Sequence, residues 1–253
     1  MTRIHKEVYG HGRPLVMIHG WAMHSGVWRG FVQQLAQHRQ VICLDLPGHG
    51  RSGMLAEYTL ESVAEALFKA IELEKFSLLG WSLGGLIAIE MAHRSPRQVA
   101  SLSILASNPK FVKSADWIGV KPEVLDGFAA QLSIDTRQTL LRFLALQVNG
   151  LPDGKQLLQS LKLAIMECDS PSLPVLQAAL RILKLSDLRA KLRQFNGPVS
   201  LIQGDKDPLV SLGCALAMRQ IQPEIQIHVL DRAGHAPFLT HSGQLLDILK
   251  AAV

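Results

Sequence analysis

The sequence predicts an α/β fold, a mostly parallel sheet flanked by helices, and three observations predict it. Short buried strand-like runs alternate with helical patterns through the first hundred residues, an order that specifies parallel strands covered on both faces. The segment Gly80-Trp81-Ser82-Leu83-Gly84 follows one such run and precedes a good helix former, the setting of a sharp strand-to-helix turn that exposes a serine. After a long stretch with no convincing strand, strand-and-loop patterning resumes at Val199.

Leu15-Val16-Met17-Ile18 reads as a buried strand running into His19-Gly20-Trp21, and a helix is expected over Val27 to His38. Val41-Ile42-Cys43-Leu44 is a second buried strand, closed by the turn-rich loop Asp45 to Ser52. Leu60, Val63, Ala64, Leu67, Phe68 and Ile71 recur at helical spacing. Phe76 to Leu79 is the strand before the serine turn, Gly85 to Ala92 the helix after it, and Val99 to Leu105 a further strand. From 108 to 189 the pattern is helical, broken at Lys121-Pro122, Asn149 to Gly154 and Ser170 to Pro174. This stretch is expected to be a helical cap inserted into a core of residues 1–107 and 190–253. Val199 to Ile202 and Ile225 to Leu230 complete the strands, each followed by a polar loop, and a final helix closes the chain.

At 253 residues, with 48% hydrophobic and 19% charged residues, the chain suits one domain with an insertion. No apolar stretch reaches the roughly 20 residues that a membrane helix needs. Met1 to Glu7 lacks the apolar core of a signal peptide, so a cytoplasmic protein with no membrane contact is expected. Cys43, Cys168 and Cys214 are odd in number and lack metal-ligand spacing, which predicts reduced packing thiols and no metal site. The net charge of +5 permits an acidic partner. Without a basic run or a binding motif, nucleic acid is not expected as a partner.

Serine attacks carbonyl carbon only when a base stands beside it, and in the α/β-hydrolase fold the acid and then the histidine follow the nucleophile along the chain. Ser82 is the candidate nucleophile. Downstream, the turn Gly204-Asp205-Lys206-Asp207-Pro208-Leu209-Val210 offers two acids. Asp207 is favoured because Pro208 stiffens its backbone, with Asp205 as a turn-forming competitor. Of ten histidines, His235 alone lies on the loop after the last strand, beyond both nucleophile and acid. It would take the Ser82 proton while Asp207 fixes its tautomer. Oxyanion donors are expected at the backbone N–H of Leu83 and at that of Trp21, in the loop after the third strand, each worth about 3 kcal/mol. His19 reads as a brace for that loop. Phe143 and Leu144 are expected on the ligand side of the cap, since pockets are lined by apolar groups.

His19-Gly20-Trp21, Leu46-Pro47-Gly48-His49-Gly50, Gly80 to Gly85 and Gly234-His235-Ala236-Pro237-Phe238 resemble motifs of the pimeloyl-acyl-carrier-protein methyl ester esterases of biotin synthesis. Ala106 to Phe111, Asp116 to Pro122 and Arg142 to Gln147 are similar to that family's cap. The resemblance implies hydrolysis of a methyl ester at the far end of a pimeloyl chain carried on acyl carrier protein, with release of methanol and no cofactor. It implies a triad of Ser82, Asp207 and His235, oxyanion donors at Trp21 and Leu83, and Trp81 and Phe143 in the acyl pocket. Together with Trp21, Leu83, Leu144 and Gln147, these two are expected to bind substrate. The carrier is acidic, and Arg142 and Lys155 match family positions that hold it, with Arg137 and Lys162 close in sequence. Gln138 and Gln159 stand where the family pattern has arginine. Two other readings are open: a broad-specificity carboxylesterase or thioesterase acting on small esters, and a non-catalytic binding protein built on the same fold.

Overall fold

In the computed structural model, which describes residues 2–149 and 151–251, seven strands share one sheet. In chain order they are β1 (Lys6–Tyr9), β2 (Pro14–Ile18), β3 (Gln40–Leu44), β4 (Phe76–Trp81), β5 (Val99–Leu105), β6 (Val199–Gly204) and β7 (Gln226–Leu230). Their order across the sheet is β1-β3-β2-β4-β5-β6-β7. Only β1 runs antiparallel to its neighbour; every other pairing is parallel. Parallel strands need crossovers, and the helices that make them cover both faces of the sheet. Hence β2 and β4 are buried on both faces: Leu15 to Ile18 and all six residues of β4 are buried, Ser77 included.

The helices are α1 (Arg29–Leu35), α2 (Leu60–Ile71), α3 (Leu83–Arg94), α4 (Pro122–Ile134), α5 (Thr136–Gln147), α6 (Gly154–Ile165), α7 (Leu173–Leu185), α8 (Arg189–Gln194), α9 (Gly213–Ile221), α10 (Pro237–Thr240) and α11 (Ser242–Ala251). Local chemistry marks several boundaries. Thr59 and Ser62 form a reciprocal capping box at the start of α2, and the Asp135 carboxylate caps α5 by accepting from Gln138 N–H at 2.9 Å. Pro122 opens α4, where its missing N–H costs nothing. In α3 every residue from Leu83 to Ala92 is buried, so this helix is the axis of the fold.

Two expectations are corrected. The helix expected over Val27 to His38 is a short 3-10 turn, Ser25–Trp28, followed by α1. The His24 imidazole accepts from Gly26 N–H at 3.1 Å and tightens that first turn. The loop bearing Trp21 follows the second strand of this chain, not the third, because β1 is followed directly by β2. β1 itself escaped the sequence reading: it is an edge strand of four residues, two of them exposed, with no apolar run.

Helices α4 to α7 lie between β5 and β6 in the chain, although those strands are neighbours in the sheet. The segment that leaves the sheet and the one that returns are fastened together. Arg189 donates to Asp116 at 2.7 Å and to Asp187 at 2.7 and 2.8 Å, and its guanidinium lies 5.4 Å from the Trp117 ring centre. Arg29 on α1 and Glu167, just beyond α6, make a second, bidentate tie to the helical layer.

The chain crosses from one side of β2 to the other on passing from β3 to β4. At such a reversal the loops leaving the carboxyl ends of adjacent strands diverge and open a crevice. The loops after β2 and β4 therefore meet there, and close approach sets their geometry. A side chain on Gly84 would collide with the Ile18 and His19 carbonyls, and one on Gly80 with the Gly84 backbone. Gly84→Ala is expected to lower stability by about 2 kcal/mol or more and to remove Ser82-dependent activity. Urea unfolding with parallel ester assays checks it, and an unfolding midpoint equal to that of wild type would show that the backbones separate cheaply.

Candidate active site

Ser82 occupies the turn between β4 and α3 with φ 55° and ψ −119°. For a residue with a side chain this is a strained conformation, costing about 1 to 3 kcal/mol, and its surroundings hold it. Its N–H donates to the Leu105 carbonyl at 3.0 Å. Its carbonyl accepts from Gly85 N–H at 2.9 Å and from the Ser107 hydroxyl at 2.7 Å. The turn lifts the hydroxyl off the backbone path and leaves the Leu83 N–H in the first turn of α3, where no helical carbonyl can accept from it.

The loop after β7 brings His235 to that hydroxyl. His235 Nε2 lies 2.9 Å from Ser82 Oγ, and its Nδ1 lies 2.9 Å from Asp207 Oδ2 in the loop after β6. Both His235 and Asp207 have fully buried side chains. An ionised carboxylate only accepts, so Nδ1 carries the proton and Nε2 is left to accept from the serine. Asp207 Oδ1 is occupied by the N–H groups of Leu209 at 2.8 Å and Val210 at 3.0 Å. Asp205 is turned away: its carboxylate pairs with Lys206 at 3.1 Å. Of the two acids left open by the sequence, the geometry brings Asp207 to the histidine.

Trp21 lies beside the serine. A Cβ placed on Gly20 would come within 3.2 Å of Ser82 Cβ, so the backbone of the Gly20-Trp21 loop runs along Ser82. The Trp21 indole N–H donates to the Leu176 carbonyl of α7 at 2.9 Å, and its ring meets Phe143 of α5 edge to face at 4.8 Å. The loop is thus held from above by the helical layer. From below, the His19 imidazole accepts from Leu46 N–H at 2.9 Å while its Nδ1 faces the Gly20 carbonyl at 2.8 Å, which fulfils the bracing role expected of it.

Leu144 is buried beside Phe143. Gln147 is also buried; its carbonyl accepts from His235 N–H at 3.4 Å, and neither atom of its amide has a partner. Trp81 packs among rings, 4.9 Å from Phe238 and 5.8 Å from Trp28. Its indole N–H donates to the His235 carbonyl at 2.7 Å, so it fixes the histidine loop, a role its motif position does not disclose. Ser107 and Gln203, which bonds Asp207, were also missed. Nothing in their sequence setting distinguishes them from ordinary strand-end residues. A groove of about 570 Å³ between α5 and α6 is lined by Ala145, Val148, Leu151 and Lys155, among others. Leu151 reaches the histidine loop, its Cδ1 lying 2.9 Å from where a Cβ on Gly234 would sit. Arg142 on α5 and Lys155 on α6 are exposed, as are Gln138 and Gln159. Among the described residues no helix is long and apolar enough to cross a membrane, and no cluster of three metal-ligating side chains occurs.

Buried imidazoles surround the loop after β3. Burial, above all, pushes His19 well below its ordinary value, with His49 nearby adding to the effect. Burial likewise lowers His49 to about 4. Burial opposes ionisation of Asp45, yet the N–H groups of Arg51 at 2.9 Å and Ser25 at 2.6 Å hold its carboxyl below the usual range.

Residues 13–242 match the model of the alpha/beta hydrolase fold family. A pimeloyl-(acyl-carrier protein) methyl ester esterase of Nitrosomonas europaea is 42% identical over 99% of this chain and 100% of its own length. The esterase of the same name from Methylococcus capsulatus is 40% identical over 93% and 92%, and that of Serratia marcescens 36% over 100% and 99%. Among solved structures, an esterase from Exiguobacterium antarcticum superposes with a TM-score of 0.89 at 22% identity, covering 99% of this chain and 95% of that one. At that identity the superposition speaks for the fold alone.

The neutral histidines set an acid limit on stability. Unfolded histidine takes up a proton near pH 6.5, whereas folded His49 does so only near pH 4. The stability it contributes is complete above about pH 6.5 and drains as pH falls toward the folded value, by about 2 kcal/mol between pH 6.5 and 5. His49→Gln is expected to flatten the fall in Tm over that range. An unchanged slope would mean that the folded protein protonates His49 readily.

Proposed function

The chain belongs to the pimeloyl-acyl-carrier-protein methyl ester esterases of the α/β-hydrolase fold, and from this membership we propose that it cleaves the methyl ester of a pimeloyl chain borne by acyl carrier protein, releasing methanol for biotin synthesis. The observation that carries the chemistry is the unbroken hydrogen-bond chain from Ser82 Oγ through His235 to Asp207, with two 2.9 Å links.

The steps follow from that chain. His235 Nε2 accepts the hydroxyl proton as Ser82 Oγ bonds to the ester carbonyl carbon, and Asp207 stabilises the resulting imidazolium. The oxyanion is met by the N–H groups of Leu83 and Trp21, each worth about 3 kcal/mol when poised in advance. The intermediate collapses, the carbon–oxygen bond to the methoxy group breaks, and the imidazolium proton leaves with methanol. A water then loses its proton to His235 and attacks the acyl-serine, freeing the carboxylate and restoring Ser82. Serine, histidine and water suffice, so the reaction calls on no cofactor.

We assign the helical layer from α4 to α7 as a cap that shields the reacting atoms. Trp21, Leu83, Phe143, Leu144 and Gln147 form the substrate contacts, with Trp81 supporting them from the core side. The groove between α5 and α6 supplies the approach for the carrier's arm, since Leu151 joins it to the histidine loop. Arg142 and Lys155 hold the acidic carrier outside. Three unpaired thiols fit a reducing compartment such as the cytoplasm.

The test compares pimeloyl-carrier methyl ester with p-nitrophenyl butyrate, using wild type and Ser82→Ala. A Ser82-dependent preference for the carrier ester is expected; cleavage of the small ester alone would overturn the substrate assignment. Exposed charges are individually weak, about 0 to 1 kcal/mol each. The paired change Arg142→Ala with Lys155→Ala is therefore expected to raise KM for the carrier ester by about fivefold at low salt and to leave p-nitrophenyl butyrate turnover unaltered. Equal losses on both substrates would make these residues structural.

A further inference from the structure

Asp207 collects four N–H groups, and one of them comes from a side chain with no part in the reaction as derived so far. Gln203, at the penultimate position of β6, is buried. Its amide nitrogen donates to Asp207 Oδ2 at 3.2 Å and to the Val210 carbonyl. Both neighbours are acceptors, which fixes the amide orientation without ambiguity. The consequence for Gln203 itself is unfavourable: its Oε1 is buried with no partner, and an orphaned acceptor is costly. An apolar residue of the same length would remove that cost but would leave the Val210 carbonyl and Asp207 each short of a donor, so these two bonds, and not packing, account for a glutamine here.

The geometry gives it another use. Backbone N–H groups of Leu209 and Val210 occupy Oδ1, and the Gln203 amide shares Oδ2 with His235 Nδ1. We propose that Gln203 is a positioning residue of the charge relay, locking the Asp207 carboxylate so that Oδ2 faces the imidazole. A carboxylate held on both oxygens cannot rotate away when the imidazolium forms, so the imidazole keeps its acceptor in place. The other titratable groups around this carboxylate are Cys214 of α9, whose thiol burial raises, the Asp207 charge adding to the effect, and Asp205 and Lys206 of its own turn, which pair with each other. None of these donates to Oδ2 among the described contacts.

This inference rests on the proposed triad but not on the carrier substrate, so p-nitrophenyl butyrate is the probe, with Ser82→Ala as control. Activity surviving Ser82→Ala would defeat the triad itself. The outcomes below concern Gln203 alone. Gln203→Met keeps length and removes the donor; kcat is expected to fall about tenfold, the worth of a hydrogen bond to a charged group, with KM within about twofold. In an Asp207→Ala background, fluorophosphonate labelling of Ser82 should be slowed less than about twofold by the same change, because residue 203 acts through the carboxylate. Equal losses in both backgrounds, or no loss in either, would overturn the proposal. Gln203→Glu has the native shape and decides the matter separately. The new carboxyl stands where the amide lay 3.2 Å from Asp207 Oδ2, too close for two charges, so it takes up a proton, and its O–H replaces the lost amide donor; kcat should stay within about threefold of wild type, well above that of Gln203→Met. A Gln203→Glu variant that loses as much kcat as Gln203→Met would equally overturn it.

Discussion

The backbone of Gly84 rests against the carbonyl of Ile18, nearer than any side chain would allow, and the rest of the molecule is arranged around that contact. It presses the first turn of α3 onto the end of β2, which brings the serine turn and the Trp21 loop to one point. Those two loops belong to strands on either side of the reversal in strand order, so the crevice that such sheets open there is where Ser82 and the Gly20-Trp21 backbone converge. The strain at Ser82, the buried carbonyl bonds that hold it and the complete burial of α3 follow from the same compression.

The groups around Ser82 are buried, and this determines what the polar ones among them must be. Imidazoles placed in such surroundings stay neutral, so His19 can brace the loop as an acceptor instead of repelling the donors beside it. The Asp207 charge is tolerated because N–H groups converge on it from the backbone, from His235 and from Gln203. The rings of Trp21, Phe143 and Phe128 form an edge-to-face series from the oxyanion loop into the helical layer. Displacing that layer therefore disturbs the Trp21 loop beside Ser82.

What could be read from the sequence is what depends on spacing. The strands before and after the Ser82 helix and the helical stretch after β5 rest on local periodicity and turn residues, and they stand where they were expected. What could not be read depends on partners far along the chain. β1 carries no apolar run because only its pairing with β3 holds it. The start of α1 is taken by a 3-10 turn because His24 bonds backward onto Gly26, a choice invisible to a pattern of buried Val27 and Trp28. Asp205 and Asp207 differ in role only because the loop after β7 arrives beside one of them. Gln203 lies four residues from Asp207, yet in sequence it is a polar residue ending a strand, and only the folded loop reveals what it touches.

The serine and its base stand 153 residues apart, and the Trp81 indole that pins the base's carbonyl is 154 residues from it. During synthesis the first five strands, the serine turn and the helical layer all emerge before the segment carrying the base exists. A growing chain can thus hold Ser82 in place while possessing no means of removing its proton. The contact between Ser82 and His235 therefore forms only once the last strand has joined the sheet's edge.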